Sequence, residues 1–140
     1  MSSPELLEFS APSLDLSFKV ELLSSENPDV VAQVLKHLPI ESVLGHVVIS
    51  GETVWLPTRI VHLGRSHMVP RTIGAVYFYA PGQTICLTYG QITESARINK
   101  FGQVLDADLP KLRRLGERVW DETVSHPRRN LVRTSVRRAA

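Results

Sequence analysis

Ten residues near the N-terminus, "LDLSFKVELL" (Leu14–Leu23), constrain the fold more than any other stretch. Leu14, Leu16, Phe18, Val20 and Leu22 fall on one side, and Asp15, Ser17, Lys19 and Glu21 on the other. Side chains alternate faces along a strand, so this pattern predicts a strand with one face in a core and one in water. Runs of the same kind recur. "ESVLGHVVIS" and "ETVWLPT" read as two strands joined at Ser50-Gly51, a hairpin-type link. "AVYFYAPGQTICLTYG" reads as strand, turn, strand, with Pro81-Gly82 in the order of a type II turn, which puts the positive φ on the glycine. "ESARINKFGQVLD" supplies another strand, and its alternation slips at Lys100-Phe101-Gly102, where a bulge is expected.

Two stretches change period. In "ENPDVVAQVLKHLP", Asn27 can cap and Pro28 suits the first helical turn, where its missing N–H costs nothing. Val31, Val34, Leu35 and Leu38 then form a helical stripe that Pro39 ends, with His37 in the last turn beside the negative end of the dipole. "DADLPKLRRLGERVWDETV" is amphipathic through Leu112, Leu115, Val119 and Trp120, with Arg113 one turn before Glu117. "NLVRTSVRR" reads as a last strand. Together these predict an α+β, mostly β, antiparallel domain with one helix in its N-terminal half and a helical segment near the C-terminus. About seven short strands would remove their exposed edges by closing into a barrel. Three segments are expected: a flexible, Ser- and Pro-rich 1–13, a barrel over 14–107, and a helix with a basic strand or arm over 108–140.

The bulk numbers fit one domain of 140 residues with 43% hydrophobic and 21% charged residues. No apolar run approaches the roughly 20 residues that span a bilayer, and "MSSPELLEFSAP" lacks the basic-then-apolar order of a secretory signal, so a cytoplasmic location is the default and no membrane partner is expected. The net charge of +2 is uneven: Arg128, Arg129, Arg133, Arg137 and Arg138 crowd the end, and without them acids outnumber bases by three. Such a tail can attract phosphate, can be a solvated strand face, or can pair with a second copy. No aromatic residue interleaves those arginines, which argues against stacking on nucleic-acid bases. The C-terminal helix and strand offer a surface for a homo-oligomer that would bury Trp120. The single Cys86, between Ile85 and Leu87, reads as a buried thiol with no base beside it.

The order "LPIESVLG", "GETVW", "GAVYFYAPGQTICLTYG", "ESARINKFGQVL" resembles the small bacterial cyclophilin-like family over roughly Leu16–Asp106. The resemblance implies a cyclophilin-like antiparallel β-barrel. The helix containing "LGERVW" extends the likeness to the cucumopine synthases, whose cyclophilin-like domain is followed by a helical segment. Those enzymes join histidine to 2-oxoglutarate and close a ring without a redox cofactor. The implied function is a cofactor-free enzyme condensing or cyclising an amino acid with a 2-oxo acid. The alternative is a non-catalytic module that binds a metabolite or peptide. The Phe-His-Arg triplet of cyclophilin-type prolyl isomerases is missing, "RIVHLGR" being the nearest basic segment, so that activity is not expected.

Such a condensation needs groups that move protons and cations that hold carboxylates. Glu52, His67 and Tyr89 are the expected catalytic residues. Tyr77, Tyr79, Arg59 and Arg97 are the expected substrate-binding residues, with Arg65 and Arg71 as further guanidinium forks. Tyr77 and Tyr79 would stand about 7 Å apart on one strand face, either orienting a polar ligand or filling a wall with wet tips. His37, His46, His62, His67 and His126 show no HExxH spacing and Cys86 has no second cysteine, so no zinc site is expected. GxSxG, P-loop and GxGxxG patterns are also missing.

Overall fold

The computed structural model describes residues 4–139. Among these residues, ten strands and two α-helices run in the order β1 (Leu6–Ala11), β2 (Leu16–Leu22), α1 (Pro28–His37), β3 (Ile40–Val43), β4 (Gly45–His46), β5 (Gly51–Pro57), β6 (Met68–Pro70), β7 (Ala75–Tyr79), β8 (Thr84–Ile92), β9 (Arg97–Val104), α2 (Leu109–Trp120) and β10 (Arg133–Arg138). Every pairing is antiparallel, and the strands lie in the order β3-β10-β1-β2-β9-β7-β8-β5-β4, with β6 added to β9. The two ends of this path, β3 and β4, are separated in sequence only by Leu44. The Ser42 hydroxyl on β3 donates to the Pro57 carbonyl on β5 at 2.7 Å, which draws the ends together into a nearly closed barrel.

The expected alternation is realised from Leu16 on, while Leu14 ends a 3₁₀ turn, Pro12–Leu14, that Asp15 leaves at a φ of 55°. Leu16, Phe18, Val20 and Leu22 are buried in the main core with Leu7, Phe9, Val76, Phe78, Leu87 and Phe101. Phe9 and Phe18, directly opposite in the β1–β2 ladder, stack with centroids 5.5 Å apart. The Asn27 side chain caps α1 by accepting from the Val30 N–H at 3.3 Å. Its amide also donates to the Asn99 side chain at 2.8 Å and the Lys100 carbonyl at 2.9 Å, which ties α1 to β9. The expected bulge lies at Phe101: Val76 pairs with Gly102 and Tyr77 with Lys100, leaving Phe101 without an opposite number.

Several details differ from the sequence reading. Residues 6–11, expected to be frayed, form β1 between β10 and β2, and Leu7, Phe9 and Ala11 point into the core. β10 sits between β3 and β1, so the sheet runs across both expected segment boundaries. Two of the terminal arginines are partnered at the surface: Arg137 meets Glu41 at 2.8 Å and Arg138 meets Glu5 at 2.9 Å. The turn after β7 is a single turn of 3₁₀ helix, Ala80–Gly82, and its positive φ of 52° falls on Gln83 rather than on the glycine. "ESVLGHVVIS" is two strands, β3 pairing with β10 and β4 with β5, and the link to β5 is the whole of residues 47–50. No helix among the described residues is long and apolar enough to cross a membrane.

Candidate functional site

β8 runs Ile85, Leu87 and Tyr89 along the core face, so Tyr89 ends the row near the barrel rim. α2 lies across this rim on Leu112, Leu115 and Val119. Gly116 makes the approach possible: a Cβ there would lie 2.2 Å from the Tyr89 ring. Gly90 does the same for Glu52, since a Cβ on it would lie 2.2 Å from the Glu52 Oε1. Glu52 Oε1 accepts the Gln91 N–H at 2.7 Å, and Arg113 stands 4.0 Å away.

His46 on β4 completes the group. Its Nδ1 lies 2.5 Å from the Val47 carbonyl and its Nε2 lies 2.7 Å from the Tyr89 hydroxyl. A carbonyl can only accept, so Nδ1 carries the proton and Nε2 accepts from the phenol. The imidazole packs edge-on to Trp120 with centroids 4.8 Å apart. Burial lowers the pKa of His46, while the Val47 carbonyl and the Glu52 charge oppose that shift. Burial also pushes the Tyr89 phenol up to about 12, helped by the charges of Glu52 and Glu117. At neutral pH the resting pair is therefore a neutral imidazole and a neutral phenol.

These residues line a cavity of about 670 Å³ at the rim. Val47, Val48 and Ile49 give it an apolar side, and Glu117, Asp121, Arg114 and Arg118 a charged one. Arg118 is tied to Glu122 at 3.5 Å, whereas Arg114 has no carboxylate within 4.0 Å among the described residues.

A second cavity, of about 690 Å³, lies on the other side of the residue 47–50 link. Its floor is the opposite face of the sheet, where Trp55, Tyr77, Cys86 and Ile98 cluster apart from the main core. Arg71 and Arg97 stand at its walls with Tyr79 and Glu94. Burial pushes the Cys86 thiol up to about 11 and, with the neighbouring Cys86, raises the pKa of Tyr77.

The expected site residues thus separate. Glu52 and Tyr89 share the rim cavity, while Tyr77, Tyr79 and Arg97 share the second. Tyr77 is 5% exposed and Tyr79 53%, so only Tyr77 belongs to the floor. Arg59 lines a third space, of about 500 Å³, beside His37, Glu41 and Pro57. His67 lines none of the three, and its backbone N–H donates to the Asn99 side chain at 3.1 Å. The histidine beside Tyr89 is His46, not the expected His67. Its signal, an imidazole in an otherwise apolar "VLGHVVI", acquires meaning only through the long-range pairing of β4 with β5 and the packing of α2. Among the described residues, no three His, Cys, Asp or Glu side chains gather as a metal site would need.

No protein-family model and no curated protein matches the chain. Solved structures share its architecture, two among them as follows. The structure of McbB in complex with tryptophan superposes with a TM-score of 0.86 at 20% identity, over 96% of this chain and 45% of McbB. The solution structure of the hypothetical protein AF2241 from Archaeoglobus fulgidus superposes with a TM-score of 0.66, also at 20% identity, over 99% of this chain and 98% of that one. The chain therefore spans less than half the length of McbB and nearly all of AF2241, and what it shares with both is the mostly antiparallel, barrel-like fold.

Proposed function

We propose that the protein is a small-molecule enzyme that condenses or cyclises an amino acid with a 2-oxo acid, as the cucumopine-synthase resemblance implies, using its own side chains and no cofactor. The observation that carries this reading is the Tyr89–His46 hydrogen bond of 2.7 Å beside Glu52 in the wall of the rim cavity. Joining an amine to a carbonyl, or closing a ring, requires a proton to leave the attacking nitrogen. The phenol oxygen of Tyr89 takes that proton while its own passes to Nε2 of His46. The resulting imidazolium is supported by the Val47 carbonyl and the Glu52 charge, both of which favour its charged form. Arg114 serves as the fork for a substrate carboxylate, and Glu117 and Asp121 provide a negative wall for an ammonium group. In this reading Glu52 and Tyr89 keep the roles expected of them, and His46 takes the role expected of His67. The tryptophan bound by McbB supports an amino acid as the ligand class.

The test is incubation of the protein with paired amino acids and 2-oxo acids, followed by mass spectrometry. A condensed mass that forms with the native protein, and on the order of 10²-fold or more slowly with Tyr89→Phe, is the expected result. The variant should melt within a few degrees of the native protein. Ligand stabilisation without any new mass would turn the reading to a binding module. At 100-fold saturation such a ligand would add about 2.7 kcal/mol.

A further inference from the structure

Arg71 is the least satisfied charge in the second cavity. Its Nη1 donates to the Tyr77 hydroxyl at 3.4 Å, and its Nη2 to the carbonyls of Ser50, at 3.2 Å, and Glu94. Its Nε is sealed from solvent and has no hydrogen-bond partner among the described residues. Among the described residues no carboxylate lies within 4.0 Å of its guanidinium. A partly buried cation with only neutral partners carries an uncompensated desolvation cost. Arg97 stands at the same cavity with its Nη1 on the Met68 carbonyl at 3.0 Å and, among the described residues, likewise meets no carboxylate within 4.0 Å. Two guanidiniums thus face one acidic side chain, Glu94, above an apolar floor of Trp55, Tyr77, Cys86 and Ile98.

We propose that this second cavity is a separate ligand site for a monocarboxylate with an aromatic or aliphatic body, its head on Arg71 and Arg97 and its body on Trp55 and Ile98. The carboxylate supplies the charge Arg71 lacks, and the body removes apolar floor from water. The site binds and does not react: the Cys86 thiol, raised to about 11, stays protonated near neutrality, as does the Tyr77 phenol. This inference does not depend on the chemistry proposed for the rim cavity, because the two cavities share only Val47 and Ile49 and none of their polar or charged side chains.

The chain's two tryptophans allow the sites to be read separately, since Trp55 lines this cavity and Trp120 the other. In Trp120→Phe protein, titration with 3-phenylpropionate should give a saturable change in Trp55 emission. The uncharged 3-phenylpropionamide should bind at least about tenfold more weakly, as should the acid to Arg71→Met. Ala96 is an exposed residue of the same cavity, so its variants keep the test decisive if Arg71→Met does not fold. Ala96→Glu offers the guanidiniums an internal carboxylate and should weaken the acid about tenfold, whereas Ala96→Gln should not. No saturable change, equal binding of acid and amide, or equal effects of Ala96→Glu and Ala96→Gln would overturn the proposal.

Discussion

Burial lowers the affinity of the His46 imidazole for a proton, against the opposing pull of the Val47 carbonyl and the Glu52 charge. The sign of the resulting pH effect follows from linkage. The unfolded chain protonates this histidine near its ordinary value of 6.5, and the folded chain only at lower pH. The stability of the neutral form is therefore complete above about 6.5 and is lost as pH falls through the folded value. The groups facing the ring are Tyr89, Glu52 and Trp120, with Glu117 and Asp121 further along the cavity wall. His46→Gln removes this titration and leaves the other four histidines common to both proteins. The melting temperature of the native protein should thus fall more steeply than that of His46→Gln between pH 7 and pH 5, as followed by circular dichroism. Parallel curves would mean that the ring is not held neutral by the fold. Tyr89 gives the opposite sign: its phenol is raised to about 12, so its share of stability is present below 10 and disappears as pH rises towards 12.

At the scale of elements, the contact between α2 and β8 rests on one missing methyl group. Alanine is intrinsically the better helix former by about 1 kcal/mol, so Gly116→Ala would stabilise a free helix. Here the added Cβ would lie 2.2 Å from the Tyr89 ring, which is buried among α2, β4 and β8. Overpacking of this kind costs about 1–3 kcal/mol and should outweigh the propensity gain. Gly116→Ala is expected to lower the melting temperature by roughly 3–8 °C and to disturb the Tyr89–His46 bond. A gain in stability would show that the helix can slide off the ring. The same comparison explains which elements could be read in advance. β2 and α1 carry their own signals, an alternation and an Asn27-Pro28 start, and both form, β2 from Leu16 rather than Leu14 and α1 ending at His37 with Leu38 as its extended cap. β1 has an alternation of only Leu7, Phe9 and Ala11 in a Ser- and Pro-rich context, and its ladder partners come from residues 16–21 and 135–138. Tyr89 could be singled out as the aromatic end of a strand. His46 could not, because its neighbours are supplied by β8 and α2 rather than by its own sequence.

For the whole molecule, the question is whether residues 14–107 are a barrel with an appendage or a fragment of a single folded unit. That fragment would lack β1 and β10, the two strands between β3 and β2, and with them the continuity of the sheet. It would also lose Leu7, Phe9, Val132 and Val136 from β1, β10 and the approach to β10, and Leu112, Leu115 and Val119 from α2, all of them buried. Each such side chain contributes about 1.5–3 kcal/mol by burial, against a total stability for a domain of about 5–15 kcal/mol. Removing seven of them takes away gross burial comparable to the whole net stability of a domain, and it bares the ladder edges of β2 and β3. The fragment 14–107 is therefore expected to show no cooperative thermal transition and little near-ultraviolet circular dichroism, while the full chain shows both. A cooperative transition in the fragment would restore the three-segment division and make the C-terminal helix and strand an addition to an independent barrel. The rim cavity would follow the same outcome, because α2 supplies its Arg114, Glu117, Arg118 and Trp120 wall. If the barrel can fold only when α2 and β10 are in place, the Tyr89–His46 pair is assembled by the closure of the whole sheet and does not form in the fragment 14–107.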